Sequence, residues 1–398
     1  MEKKIFIYIS LNNNTDALLG TVFVDNIKGK ETYSFEYSEE ALLNNYSKYL
    51  IDEEIAFTRG RQFKIDSTKP YRFLEDSSPD RWGRNLIKRN AGNKNLFFSD
   101  YLLSVSDITR MGALRYKLND INGQFLKDDN SVPPLKFLNE FENVAFHYNE
   151  FDLKEDWKLL LSPGSSLGGA RPKATFYDAD GNYYLAKFNH KNDDYDVSKI
   201  EYLTYYLAIK SGIEMSESKL IPIDKKRSVF LTKRFDRNKN QRYHYLSFMT
   251  LLNADEGDSN NHSYLEVAET ILKISDQPQK DLEQLFRRIA FSIIFHNYDN
   301  HLRNHGMLLK DSKWQLSPCF DINISLYSGA HSLTVDGNPA SLENLIDNCS
   351  SFRLNKEKAN EIINQIKQNA KTCLVDKCKE LNVAKELTKI IEKTIIVD

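Results

Sequence analysis

The stretch that most restricts this chain is Phe295 to Gly306, FHNYDNHLRNHG, with SPCFDI, Ser317 to Ile322, just behind it. The apolar residues Ile289 to Phe295 read as a buried helix that runs out into this polar loop. Asp299, Asn304 and Asp321 are three hard oxygen donors placed where that helix ends. One carboxylate in such a set can accept the proton of an attacking hydroxyl. The asparagine and the second carboxylate can hold Mg²⁺, which prefers oxygen ligands, on nucleotide phosphates. The spacing therefore predicts phosphoryl transfer.

Other properties of the chain restrict the alternatives. With 398 residues it exceeds what one hydrophobic core usually organises, so two or three domains are expected. Its 54 basic and 56 acidic residues nearly cancel, which argues against a main business with nucleic acid or a charged membrane surface. Cys319, Cys349, Cys373 and Cys378 fit neither a disulfide framework nor a zinc pair and read as reduced thiols. The N-terminal apolar run is too short for a signal segment, and nothing later approaches a membrane span. A soluble, cytoplasmic protein without membrane contact is expected.

Ile5, Ile7 and Ile9 alternate with Phe6, Tyr8 and Ser10 at the period of a strand, and Gly20–Val24 and Thr32–Tyr37 continue a small antiparallel sheet. At Ser78-Pro79-Asp80 the pattern changes to a helix, with Ser as N-cap and Pro at the first position; Gly92 closes it. Asn119–Pro134 is rich in turn residues and reads as a linker. These signals predict a β-rich N-terminal domain with a helical extension over 1–118, a linker over 119–136, a β-rich lobe over 137–236 and a helical lobe over 237–398.

Within the second part, a helix over Glu140–Leu161 leads to the loop Ser162–Lys173. Its glycines, serines and two cations can wrap anionic oxygens as readily as they can form a plain turn. A hairpin follows, Ala174–Tyr177 and Tyr183–Phe188, with Lys187 on an otherwise apolar strand. Helix Val197–Ser211 carries the single acidic residue Glu201, and Val229–Phe235 reads as a strand. Asp-x4-Asn followed by a further Asp is the spacing of a protein-kinase catalytic loop and metal-binding segment. In that arrangement Lys187 contacts phosphate, Glu201 holds the lysine, and the strand's end supplies the adenine hinge.

Taken together, SSLGGARPK, YLAKF, KRFDR, NYDNHLRNHG and LSPCFDI, with LEDSSPDRWGRNLIKR earlier, resemble the HipA family of bacterial toxin kinases over essentially the whole chain. The resemblance implies an α+β fold in which a protein-kinase or phosphoinositide-kinase-like pair of lobes, one β-rich and one helical, is preceded by a small β-rich domain. It implies a Ser/Thr protein kinase using ATP and Mg²⁺, a toxin paired with a helix-turn-helix antitoxin and reaching DNA only through it. The implied substrate is a protein, in the family a translation factor or tRNA synthetase. Carried over to this sequence, Asp299 is the catalytic aspartate with His301 near the phosphates, and Asn304 and Asp321 are the metal ligands. Ser166, Gly168, Gly169, Lys187, Glu201, Lys233 and Phe235 contact or support the nucleotide. Ser166, or its neighbour Ser165, is the site of autophosphorylation that disables ATP binding. The chain departs from classical kinases in lacking H-R-D and D-F-G, so activation-loop control is not implied. Its GGARPK loop also differs from the GAQ-type form, which leaves the substrate open.

Two other readings remain. His296, His301 and His305 beside Asp299 offer the spacing of a metallohydrolase. A kinase fold can also serve chiefly as a scaffold for an antitoxin on operator DNA, and the segment Arg81, Arg84, Lys88 and Arg89 is either a basic contact face or the solvated side of a packed helix.

Overall fold

The structure is a computed structural model that describes residues 2–11, 15–49, 52–92, 94–126, 132–148, 156–164 and 171–395. Its architecture is α+β, with antiparallel strand pairs and separate helices. The chain forms two compact units, Met1–Asp193 with Lys233–Leu246, and Asp194–Thr232 with Ser247–Asp398.

The first unit opens on an antiparallel sheet in the order β4-β3-β2-β1-β5. Its strands are β1 (Lys3–Ser10), β2 (Asp16–Ile27), β3 (Lys30–Tyr37), β4 (Gln62–Phe63) and β5 (Leu114–Leu118). The alternation in β1 does what its period demands: Ile5, Ile7 and Ile9 are fully buried on one face. Helices α1 (Glu39–Leu43), α2 (Arg72–Asp76), α3 (Arg81–Ala91) and α4 (Phe98–Ser104) follow, before the chain returns as β5 at the sheet's edge. Helix α3 starts later than the sequence suggests. Asp80 is its N-cap, accepting from the Arg81 N–H at 2.7 Å, while the Ser78 hydroxyl is buried outside the helix. Gly92, at φ 64°, ends it as expected.

Trp82, Leu86 and Ile87 form the buried face of α3, so its cations belong to a packed helix with a polar side: Arg84 donates to Pro79 O, and Arg89 to Tyr148 O. The predicted helix over 140–161 is broken. Helix α5 (Leu138–Phe146) stops where His147 Nδ1 lies 2.9 Å from Asn143 O, and α6 (Leu161–Gly164) is a separate single turn. The Trp82 indole donates to Lys173 O at 3.1 Å, and a Cβ on Gly164 would stand 3.1 Å from that same indole nitrogen. That Cβ would also stand 2.9 Å from the Lys173 carbonyl oxygen, so any larger residue would force a shift here. The hairpin of β6 (Lys173–Tyr177) and β7 (Tyr183–Lys187) pairs Lys173 with Lys187.

The later segment of this unit closes it with buried ion pairs. Asp236 accepts from Arg234 Nη2 at 2.7 Å, Arg237 Nη1 at 2.8 Å and the Gly112 N–H at 2.8 Å. Both arginines also donate to Arg110 O. Beside them Asp107 accepts from Arg115 and from Arg242, which lies in the two-stranded hairpin β10 (Arg237–Asn238) and β11 (Gln241–Arg242). Burial works to raise the Asp236 pKa, and the two guanidiniums reverse this, holding it down at about 2. The KRFDR segment therefore owes three of its five residues to packing within this unit. Strand β12 (His244–Ser247) follows, and burial drives the His244 imidazole down to about 4, against its contact with Tyr49 O at 2.7 Å.

The second unit contains the hairpin β8 (Ser218–Pro222) and β9 (Ser228–Lys233, its last residue assigned to the first unit) and helix α7 (Val197–Lys210). The rest comprises α8 (Phe248–Leu251), α9 (Tyr264–Ile274), α10 (Pro278–Ile294), the hairpin β13 (Gly306–Lys310) and β14 (Lys313–Leu316), α11 (Leu342–Asp347), α12 (Lys356–Glu380) and α13 (Lys385–Thr394). Its core is built around α10, where Leu282, Leu285, Phe286, Ile289 and Phe291 are fully buried. Among the described residues no helix is long and apolar enough to cross a membrane.

Replacing Asp236 with alanine strands two buried guanidiniums, and unfolding by urea should show a loss of about 3–5 kcal/mol. His244 titrates from about 6.5 in the unfolded chain to about 4 in the folded one, so its contribution is fully present above pH 6.5 and is lost as pH falls. The stability difference between wild type and His244→Gln should therefore change between pH 6.5 and 4 with a slope approaching about 1.4 kcal/mol per pH unit, and remain flat above pH 7.

Candidate active site

The loop that carries Asp299 is shaped by how α10 ends. Phe295 caps the helix, His296 takes the left-handed conformation at φ 52°, and the Asn297 N–H returns to Ser292 O at 2.9 Å. This six-to-one closure satisfies carbonyls that would otherwise be orphaned at a buried helix end. It also turns the chain sharply, so that Asn297 and Asn300 are buried while Asp299 is exposed. The Asn300 amide donates to Tyr264 OH at 2.8 Å and to Ser292 Oγ at 3.1 Å, which fixes the residue next to Asp299 against α9 and α10.

Five residues on, a 3₁₀ turn over Leu302–Asn304 brings the Asn304 Nδ2 to 2.9 Å from the backbone carbonyl of Asp299. That bond commits the amide nitrogen and leaves the carboxamide oxygen as the group Asn304 can offer elsewhere. His301, half-buried, precedes the turn. His305, next to Asn304, is buried with neither ring nitrogen bonded among the described residues, and burial, Arg288 and His301 together push its pKa down to about 3.

Asp321 arrives on the chain leaving β14. Arg288 of α10 donates to Ser317 O at 2.6 Å, and the Cys319 N–H bonds Glu214 O at 2.8 Å, so this segment is held from both sides. Asp321 itself sits at φ 55°, a conformation uncommon for a residue with a Cβ. Two residues later, the Asn323 N–H donates to Asn297 Oδ1 at 3.3 Å. The loop bearing Asp299 and the turn bearing Asp321 are thus bonded to each other directly.

The second unit accordingly holds Asp299, His301, Asn304 and Asp321, with Asn304 bonded to Asp299 and the Asp321 segment tied through Asn297. Glu201 lies in the same unit on α7 and is only 6% exposed, so it is no member of a solvated face. Lys187, at the end of β7, Lys233 and Phe235 belong to the first unit. Ser165, Ser166, Gly168 and Gly169 lie outside the described residues. Carboxylate and carboxamide oxygens suit Mg²⁺ by donor type. The histidine alternative is not supported: His305 is sealed in the core, and among the described residues no group of three His, Cys, Asp or Glu is disposed to hold a metal ion. Spacing alone assigns no role to Asn300 and Ser292 and none beyond loop membership to Asn297, yet all three hold the loop in place. Their signal was the density of asparagine directly after an apolar helix.

A family model described as the HipA-like C-terminal domain matches residues 165–374. A Haemophilus influenzae protein named "Putative kinase" is 27% identical over 188 residues, 41% of this chain and 54% of that protein, so the match spans about half the length of that curated relative. Among solved structures, the Shewanella oneidensis MR-1 toxin–antitoxin complex of HipA, HipB and its operator DNA aligns over 98% of this chain and 94% of the matched one, at a TM-score of 0.69 and 13% identity. This shows a shared fold. The Helicobacter pylori proinflammatory kinase CtkA aligns over 56% of this chain and 88% of its own, at a TM-score of 0.40 and 15% identity.

Proposed function

This chain belongs to the HipA-like family, and from that membership we propose that it is a toxin kinase transferring the γ-phosphoryl group of ATP to a serine or threonine hydroxyl of another protein. The observation that carries the reading is the bond from the Asn304 amide to the Asp299 carbonyl, which leaves an exposed carboxylate and a carboxamide oxygen on one short loop. In the reaction the hydroxyl oxygen forms a bond to the γ-phosphorus, the bond to the β-phosphate oxygen breaks to release ADP, and the hydroxyl proton passes to Asp299. Asn304 and Asp321 would hold Mg²⁺, which when bound neutralises phosphate charge. Lys187, with Gly168 and Gly169, is proposed to bind phosphate and Lys233 and Phe235 to border the adenine; Glu201 is proposed as a further residue of nucleotide binding, and His301 as one near the transferring group.

The loop serine Ser166, with Ser165 as its neighbour, is the proposed site of self-limiting phosphorylation, since a phosphoserine would bring nearly two negative charges to where nucleotide phosphates bind. The proposed partner is a helix-turn-helix antitoxin through which the chain reaches operator DNA. The proposed substrate is a host protein of the translation apparatus, such as a translation factor or tRNA synthetase, in the cytoplasm.

Asp299→Asn should lower phosphate transfer from labelled ATP to host-lysate proteins by roughly a hundredfold or more while leaving thermal unfolding unchanged. Transfer at the wild-type rate would remove Asp299 from the reaction. Wild type incubated with ATP should gain phosphate at Ser166 or Ser165 by mass spectrometry, and Ser166→Asp should bind ATP at least tenfold more weakly. A variant that binds ATP normally would contradict the autoinhibitory role.

A further inference from the structure

The polar groups beneath the candidate site form a connected set that the reaction itself does not use. Ser292, on the last turn of α10, is buried, and its hydroxyl receives the Asn300 amide at 3.1 Å and the Asn297 amide at 3.5 Å. Asn300 donates onward to Tyr264 OH on α9 at 2.8 Å. The Asn297 carboxamide faces both ways: its nitrogen is turned to Ser292, and its oxygen accepts the Asn323 N–H at 3.3 Å. Asn297 also has its backbone within the hydrogen-bonding reach of His331, and Ser332 donates to Tyr298 O at 2.9 Å. Both asparagines are about 2% exposed, so neither can be serving solvent or a substrate directly.

Asn323 lies two residues after Asp321, and Asp321 is held left-handed. A residue with a Cβ in that conformation is strained and persists only where the surrounding structure holds it. The Asn297 oxygen does so from the loop that also carries Asp299 and Asn304. We propose that Asn297, backed by Ser292, is a positioning residue that sets the spacing of Asp321 from Asn304 and thereby the affinity of the site for its divalent cation. The inference rests on the kinase reading, which supplies the cation. It goes beyond it in assigning that affinity to a residue that touches neither metal nor nucleotide. Groups behind metal ligands commonly govern affinity by about 10–100-fold.

The test uses the full chain and Mn²⁺ as probe, read by electron paramagnetic resonance in the presence of ATP, alongside the Mg²⁺ dependence of phosphate transfer. Asn297→Leu, close in volume but unable to accept the Asn323 N–H, should weaken Mn²⁺ binding by about tenfold or more. It should also raise the Mg²⁺ concentration for half-maximal transfer in parallel, with the rate at saturating Mg²⁺ much less affected. Asn297→Asp keeps the accepting oxygen and should recover most of the affinity. Should the leucine variant not fold, Ser292→Ala tests the same set with a smaller change, and Mn²⁺ binding should weaken by about threefold or more. Wild-type Mn²⁺ affinity in a folded Asn297→Leu, or in Ser292→Ala if the first is unfolded, overturns the proposal and leaves the kinase reading intact. A purely packing role would instead lower stability and maximal rate without moving the metal affinity, which likewise overturns it. Wild type that neither binds Mn²⁺ with ATP nor transfers phosphate overturns both, and is told apart by needing no variant.

Discussion

A buried apolar helix cannot end without somewhere for its last carbonyls to go, and the second unit is organised by how α10 meets that demand. The turn at His296 sends the Asn297 N–H back to Ser292 O and aims two asparagine side chains into the protein and one aspartate out of it. The residues that satisfy the helix are therefore interleaved with those suited to chemistry: Asn297 and Asn300 face in, Asp299 faces out, and Asn304 reaches back to the Asp299 carbonyl. Arg288, two turns earlier on the same helix, holds the segment leading to Asp321. One helix thus holds both the loop that carries Asp299 and Asn304 and the segment that leads to Asp321.

Much of this was legible in the residues because it is local. The alternation of Ile5, Ile7 and Ile9, the hairpin turning at Asp180-Gly181, and the end of α7 before Gly212 follow from period-two pattern or turn chemistry, and each is present. Spacing singles out Asp299 and Asn304 as candidates, and the structure bonds the Asn304 amide to the Asp299 carbonyl. What escaped depends on distant chain. Strand β5 joins the first sheet from Leu114–Leu118 because β1 offers a free edge, not because its own sequence announces a partner. The start of α3 differs from the expectation because Ser78 and Asp80 are both competent caps; Asp80 takes the role, and Ser78 is buried outside the helix. KRFDR reads as the end of a strand placed as a hinge, and nothing local in it announces a buried ion-pair set. Arg234, Asp236 and Arg237 are instead sealed with Thr109, Arg110 and Gly112, more than a hundred residues away in the chain.

That last arrangement has a bearing on how the protein is made. The first unit is interrupted: residues 1–193 are completed only by 233–246. Asp107, already buried beside Arg115, receives Arg242 from the late segment, and the Gly112 N–H finds its acceptor only in Asp236. Translated from the N-terminus, residues 1–193 emerge before Arg234, Asp236, Arg237 and Arg242, so these contacts can form only after the whole of 194–232 has been synthesised. The order of translation, rather than the strength of any single contact, decides when this unit can close.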